Sequence, residues 1–133
     1  MVIIDSSVFI AVERGTLDPD AVQQHAGADQ SVAISVITLS ELLHGVHRAD
    51  TEARRAKREL FVSRATTGLP VVPIDADVAR IHARLSADLE RNGQTMGAHD
   101  LWIACCALTH GAHVLTRDLR SFPRIPELPV IAC

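Results

Sequence analysis

Asp5, Glu41, Asp100 and Asp118 each stand at the border of an apolar run, where a chain ordinarily places core rather than charge. Asp5 follows Val2-Ile3-Ile4, and Glu41 lies just past Val32 to Val36. Asp100 precedes Leu101 to Leu108, and Asp118 follows Val114-Leu115-Thr116. Ionised carboxylates brought together repel one another and raise each other's pKa, so a cluster of four needs a cation to stay charged. Hard oxygen donors of this kind suit Mg²⁺ or Mn²⁺.

Each acid also has a plainer reading. Asp5 before Ser6-Ser7 suits a helix N-cap. Thr38-Leu39-Ser40-Glu41 fits a capping box, in which the glutamate reaches back to the N–H of the cap residue. Asp100 suits the first turn of a helix, where the dipole favours a negative charge, and Asp118 suits a turn. As a set these readings weaken, because four independent caps need not border the same end of one sheet.

The elements that would position the acids follow from apolar period and breaker residues. Strands are expected at Val2 to Ile4, Val32 to Ser35, Val71 to Ile74, Val114-Leu115 and Val130-Ile131. Helices are expected over Val8 to Val12, from Asp18-Pro19-Asp20 to about His25, Ile37 to Arg48, Thr51 to Ala65, Asp75 to Arg91 and Ala98 to His110. The helix from Ala98 is apolar on nearly every side and is expected at the centre of the fold. Strands alternating with helices imply an α/β domain with a parallel sheet of about four to five strands. In such sheets the site lies beyond the carboxyl ends of the strands, which is where Asp5 and Asp118 fall.

Composition narrows the classes. With 133 residues, 47% hydrophobic and 22% charged, one domain over residues 1–133 with a real core is expected. Phe9, Phe61, Phe122 and Trp102 are the only aromatics, so base stacking cannot be the main grip on a nucleic acid. A net charge of −3 gives no global pull toward phosphate. Of thirteen cations only Lys57 is a lysine, a bias toward bidentate contacts. Cys105, Cys106 and Cys133 make no disulfide framework, which fits a reducing cytoplasm. Met-Val-Ile-Ile-Asp meets a charge by residue 5 without a basic leader, so no signal peptide is expected there, and Leu101 to Leu108 is too short to span a bilayer.

The ordered set Val-Ile-Ile-Asp5-Ser6-Ser7-Val8, Thr38-Leu39-Ser40-Glu41-Leu42, Gly97-Ala98-His99-Asp100-Leu101-Trp102-Ile103-Ala104 and Leu115-Thr116-Arg117-Asp118 resembles the PIN-domain ribonucleases, most closely the VapC toxins of bacterial toxin–antitoxin pairs. The resemblance spans essentially the whole chain. It implies a three-layer α/β/α domain and an endoribonuclease that uses Mg²⁺ or Mn²⁺ to hydrolyse RNA phosphodiesters, leaving 5′-phosphate and 3′-hydroxyl ends. It further implies Asp5, Glu41, Asp100 and Asp118 as the metal-binding catalytic set, a homodimer, and inhibition by a small cognate antitoxin of the VapB type. Ser7 and Thr116 would orient a carboxylate or water beside the acids, or would serve as ordinary turn and cap donors. One departure stands out: many family members carry a further acid where this chain has Ser121, which puts a tightly held second metal in doubt.

Other residues allow several readings. Arg117 and Arg120, beside Asp118, are placed to meet phosphates. Arg48, Arg54, Arg55, Lys57 and Arg58 form the one dense basic patch, which either grips RNA or is a solvated face paired with Asp50, Glu52 and Glu59. His44, His47, His99, His110 and His113 lack a regular zinc spacing. The rival functions are a catalytically weak PIN-like module that binds RNA or protein, and a metal-dependent phosphatase of the haloacid dehalogenase type. The latter wants an Asp where Ser7 stands. A receiver-like domain would need a lysine at a strand end, and Lys57 is not placed there.

Overall fold

The computed structural model describes residues 1–133. In chain order the elements are β1 (Val2–Ile4), α1 (Ser6–Glu13), α2 (Pro19–Ala26), β2 (Val32–Ser35), α3 (Val36–His47), α4 (Glu52–Thr66), β3 (Val71–Val72), α5 (Ala76–Arg91), α6 (Ala98–Thr109), β4 (His113–Thr116) and β5 (Val130–Ala132). A short 3-10 turn covers Phe122–Arg124. All strand pairs are parallel and their order is β3-β2-β1-β4-β5.

Alternation along the strands sorts the core into two halves. Ile3, Ala33 and Val114 face one side and pack with α5, α6 and Phe122. Val2, Ile4, Ile34 and Leu115 face the other and pack with α1, α3 and α4. A period of two on a doubly covered parallel sheet yields this division and a three-layer α/β/α fold. On α6, Ile103, Ala104, Cys105, Cys106 and Ala107 are fully buried, as the all-round apolar pattern predicts. Burial pushes the Cys105 thiol up to about 12 and the Cys106 thiol up to about 11. His82 of α5 stacks on Trp102 of α6 with centroids 3.6 Å apart.

Most boundaries follow the sequence reading, and the departures have local causes. Asp18 caps α2 and Asp75 caps α5, each accepting a backbone N–H of the first turn. The first helix starts at Ser6 rather than Val8, because Asp5 itself is the N-cap. The third strand stops at Val72 rather than Ile74: Pro73 has no N–H to donate, on an edge that pairs with β2 alone. The capping-box reading of Glu41 fails. Helix α3 begins at Val36, capped by Ser35, whose Oγ accepts Thr38 N at 2.9 Å, so Glu41 lies a full turn inside. Such a cap contributes about 1 kcal/mol and leaves the glutamate free for another role.

The chain lays down β1, β2 and β3 in one direction, then places β4 on the other side of β1. The crevice at the carboxyl ends of β1 and β4 is therefore the topological switch point, where sites of parallel α/β sheets form.

Candidate active site

Asp5 sits at that switch point. Its backbone N–H donates to Leu115 O at 2.9 Å, extending the β1–β4 ladder by one residue. Its side chain is buried, and three donors converge on Oδ2: Ser7 Oγ at 2.6 Å, Thr116 Oγ1 at 2.9 Å and Ser7 N at 3.3 Å. Both hydroxyl protons are thereby spent on the carboxylate. The Ser7 Oγ to Thr116 Oγ1 approach of 3.3 Å is then a contact between two acceptors, each with one proton already committed elsewhere. The two oxygens in turn accept from the loop after β4, Ser7 Oγ from Arg117 N at 3.0 Å and Thr116 Oγ1 from Asp118 N at 2.9 Å. The result is a closed network that joins the end of β1, the start of α1 and the end of β4. It leaves Asp5 Oδ1 uncommitted.

Glu41 reaches the same region from α3. Burial, then the negative charge of Asp5, pushes its carboxyl above the ordinary value, while His99 opposes the shift. His99 Nδ1 lies 3.7 Å from Glu41 Oε2, a pair that is ionic only when the imidazole is protonated. Glu41 Oε1 is buried with no hydrogen-bond partner, the only such side-chain atom in the protein. A buried carboxylate oxygen without a donor is costly.

Asp100 enters from the first turn of α6, whose N-cap Gly97 offers no side-chain cap. A Cβ at Gly97 would stand 3.4 Å from Asp100 Oδ2, an ordinary van der Waals contact. Burial raises the Asp100 pKa, Asp5 adds to the rise, and the Ser121 hydroxyl opposes it. Asp5 thus acts on both Glu41 and Asp100, which places three carboxylates from three elements within electrostatic reach of one another.

Asp118 is different. Oδ1 accepts Arg120 N at 2.9 Å and Ser121 N at 3.2 Å, and Oδ2 accepts Ser121 Oγ at 2.9 Å. The Arg120 N–H, more than any other contact, holds its carboxyl below the ordinary value. Asp118 therefore builds a turn, while its charge still reaches Asp100. Ser121, the departure from the family pattern, has a visible place: its hydroxyl lies between Asp118 and Asp100.

The donor set, all carboxylate oxygens, fits Mg²⁺ or Mn²⁺, and the partnerless Glu41 Oε1 and uncommitted Asp5 Oδ1 are where a cation would be welcome. As the side chains stand, no group of three or more His, Cys, Asp or Glu residues is closed around a metal position. No histidine or cysteine group forms a zinc site either. Arg117 and Arg120 are exposed beside the acids, whereas in the basic patch Arg54 pairs with Asp50 and Arg58 with Glu13. Two features were missed from sequence: the approach of His99 to Glu41, and a cleft reaching from Glu41 to Arg14. The neighbour relation of His99 and Asp100 hinted at the first.

Comparison with known proteins gives a consistent answer. The PIN domain family model matches residues 2–128. Ribonuclease VapC1 of Rickettsia felis is 36% identical over 129 residues, covering 97% of this chain and 93% of that protein. Ribonuclease VapC5 of Mycobacterium tuberculosis is 37% identical over 116 residues, covering 87% and 82%. Among solved structures, VapBC-5 of M. tuberculosis superposes with a TM-score of 0.78 at 33% identity, covering 98% of this chain and 97% of that one. VapBC2 of R. felis, bound to a DNA fragment from its promoter, gives 0.88 at 22% identity, covering 99% and 98%, a likeness of fold.

Proposed function

The chain belongs to the PIN-domain family, among the VapC ribonucleases, and from that premise we propose that it is a metal-dependent endoribonuclease, the toxin of a type II toxin–antitoxin system. Residues 1–133 form the one catalytic domain. Asp5, Glu41 and Asp100 hold Mg²⁺ or Mn²⁺, with Asp118 as the fourth acid, drawn in from its turn. When bound, the cation supplies Lewis-acid polarisation of the phosphodiester oxygens and of the attacking water. Ser7 and Thr116 fix the Asp5 carboxylate through Oδ2 and leave Oδ1 free to meet a cation without rotamer search. Arg117 and Arg120, exposed beside the acids, meet the RNA backbone. A cognate VapB-like antitoxin inhibits the toxin, which acts as a homodimer in the cytoplasm. No helix is long and apolar enough to cross a membrane.

The observation that carries this reading is the convergence of Asp5, Glu41 and Asp100 at the switch point, with a buried oxygen of Glu41 left without a donor. The test is cleavage of total cellular RNA by the purified, antitoxin-free protein in Mg²⁺, Mn²⁺ or EDTA, beside folded Asp5→Asn and Asp100→Asn. Discrete metal-dependent cuts lost in both variants are expected. A second reading, a catalytically weak module that binds RNA or protein, draws on Ser121 and on the open arrangement of the acids. It predicts RNA binding without metal-dependent turnover.

A further inference from the structure

A cleft of about 580 Å³ opens beside Glu41 and His99 and runs between α1 and α3 toward the far ends of both helices. Each helix carries a site acid near one end of the cleft and an arginine at the other. Asp5 and Arg14 are the N-cap and C-cap of α1; in α3, Glu41 and the C-cap Arg48 are related as i and i+7, two turns along one face. At the helical rise that separation is about 10 Å. Arg14 and Arg48 both line the cleft, both are exposed, and neither is in an ion pair. Arg54, Arg58, Arg80, Arg84 and Arg91 are paired with acids, while Arg55, Arg64, Arg117, Arg120 and Arg124 are in no ion pair but do not line the cleft. Arg58 instead forms the wall between Arg14 and Arg48: Nε donates to Glu13 Oε1 and Nη1 to Gly45 O, both at 3.0 Å.

An arginine at a helix C-terminus is favoured by the dipole alone. That preference does not explain why two such caps share one cleft, nor why both guanidinium groups lack a carboxylate partner there. Ile10 and Leu42 are the only apolar residues of the lining, and its only rings are the imidazoles of His44 and His99, so the cleft offers charge with no large aromatic platform for bases. The lining sets Arg14, Arg48 and Arg58 against Glu13 and Glu41, and with Glu13 tied to Arg58 the two remaining guanidinium groups favour an anionic strand read through its backbone. We propose that Arg14 and Arg48 form a phosphate-binding subsite for the single-stranded RNA substrate, gripping the backbone about 10 Å from Glu41 at Arg48 and about 13 Å from Asp5 at Arg14, a few nucleotides from the scissile bond. The subsite rests on the ribonuclease reading for its substrate, and it places the RNA strand along the groove between α1 and α3.

The test separates binding from turnover. A labelled twelve-nucleotide oligouridylate is titrated in EDTA against the Asp5→Asn chain, with and without Arg14→Ala/Arg48→Ala, over a range of salt. Losing two phosphate contacts on a single strand should weaken binding about tenfold and flatten the slope of log K against log salt by about 1.4. Arg14→Lys/Arg48→Lys should restore the slope, and Arg80→Ala/Arg91→Ala, an equal charge loss on α5, should leave it unchanged. In metal-dependent cleavage with Asp5 intact, the Arg14→Ala/Arg48→Ala change should raise KM about tenfold with kcat nearly kept, the signature of lost uniform binding. An unchanged slope, an equal loss in the α5 control, or no binding of the oligonucleotide at low salt overturns the subsite. So does an oligoglutamate peptide that binds with the same arginine dependence where RNA does not. If the slope flattens but the wild-type chain cuts no RNA in any metal, the subsite stands and the ribonuclease reading falls.

Discussion

Asp5 and Glu41 are carboxylates of the same acidic site, yet one has three donors on a single oxygen and the other has a buried oxygen with none. Asp5 is held by the end of β4 and the start of α1, so its position is fixed by the sheet itself. Glu41 projects from the middle of a helix, with only the distant Nδ1 of His99 beside Oε2. The lesson is that the site is organised on one side and left open on the other. A preorganised anchor gives geometry; an unsatisfied carboxylate gives appetite for a cation, at a cost to the metal-free fold.

The sharpest way to break this comparison is to remove the anchor. Asp5→Asn should lower metal-dependent cleavage by about 10³-fold or more, since several kcal/mol of metal-assisted stabilisation pass through it. Cleavage kept within tenfold in a folded variant would contradict its role. Next comes the scaffold: Thr116→Val removes one of the three donors to Asp5 and the acceptor for Asp118 N. It should cost about 10- to 100-fold in activity and about 1–3 kcal/mol in urea-unfolding stability. Loss of stability without loss of activity would make Thr116 a structural residue only.

The open side predicts the opposite sign. With its pKa raised, Glu41 keeps a proton in the folded state that the unfolded chain has already released. Stability of the metal-free protein should fall as pH rises from the ordinary carboxylate value through the raised one, and stay lowered above it. Glu41→Gln should therefore melt higher than wild type in EDTA at pH 7, with the gap closing at acid pH. Asp100, shifted the same way, keeps part of the slope in the variant. Saturating Mg²⁺ should narrow or reverse the gap, because a ligand that binds only the folded state stabilises it. A lower melting point in EDTA at pH 7 would show that Glu41 is not strained. The smallest effect belongs to Ser121→Ala, which takes one of three donors from Asp118 and should cost about 1 kcal/mol by denaturant titration.

How far the sequence led depended on whether a local signal existed. The apolar runs at Val2 to Ile4 and Val32 to Ser35 mark their strands to the residue, because a doubly covered parallel strand has no polar face to blur it. Asp18-Pro19 and Asp75 declared their helix starts through capping chemistry. Capping misled at Glu41 for the same reason it succeeded elsewhere: Thr38-x-x-Glu41 satisfies the pattern, but Ser35, three residues earlier, ends a strand and already caps the helix. Asp5 proved to be both cap and site residue. The pairing of His99 with Glu41, the place of Ser121 between two acids, and the sharing of one cleft by Arg14 and Arg48 have no local signature. They depend on α1, α3 and α6 converging from far-separated stretches of chain.

The two thiols of α6 offer a view of the site from behind. Cys105 and Cys106 are fully shielded and their thiols are held far from ionisation, while Cys133 is partly accessible. An alkylating reagent at neutral pH should tag Cys133 first and the adjacent pair only when the helix bearing Asp100 opens. The protein thus carries its own clock for that opening, with a built-in reference at its last residue. Slowing of the paired tags as Mg²⁺ is added would report, from inside the core, that the acids outside have closed on their ion.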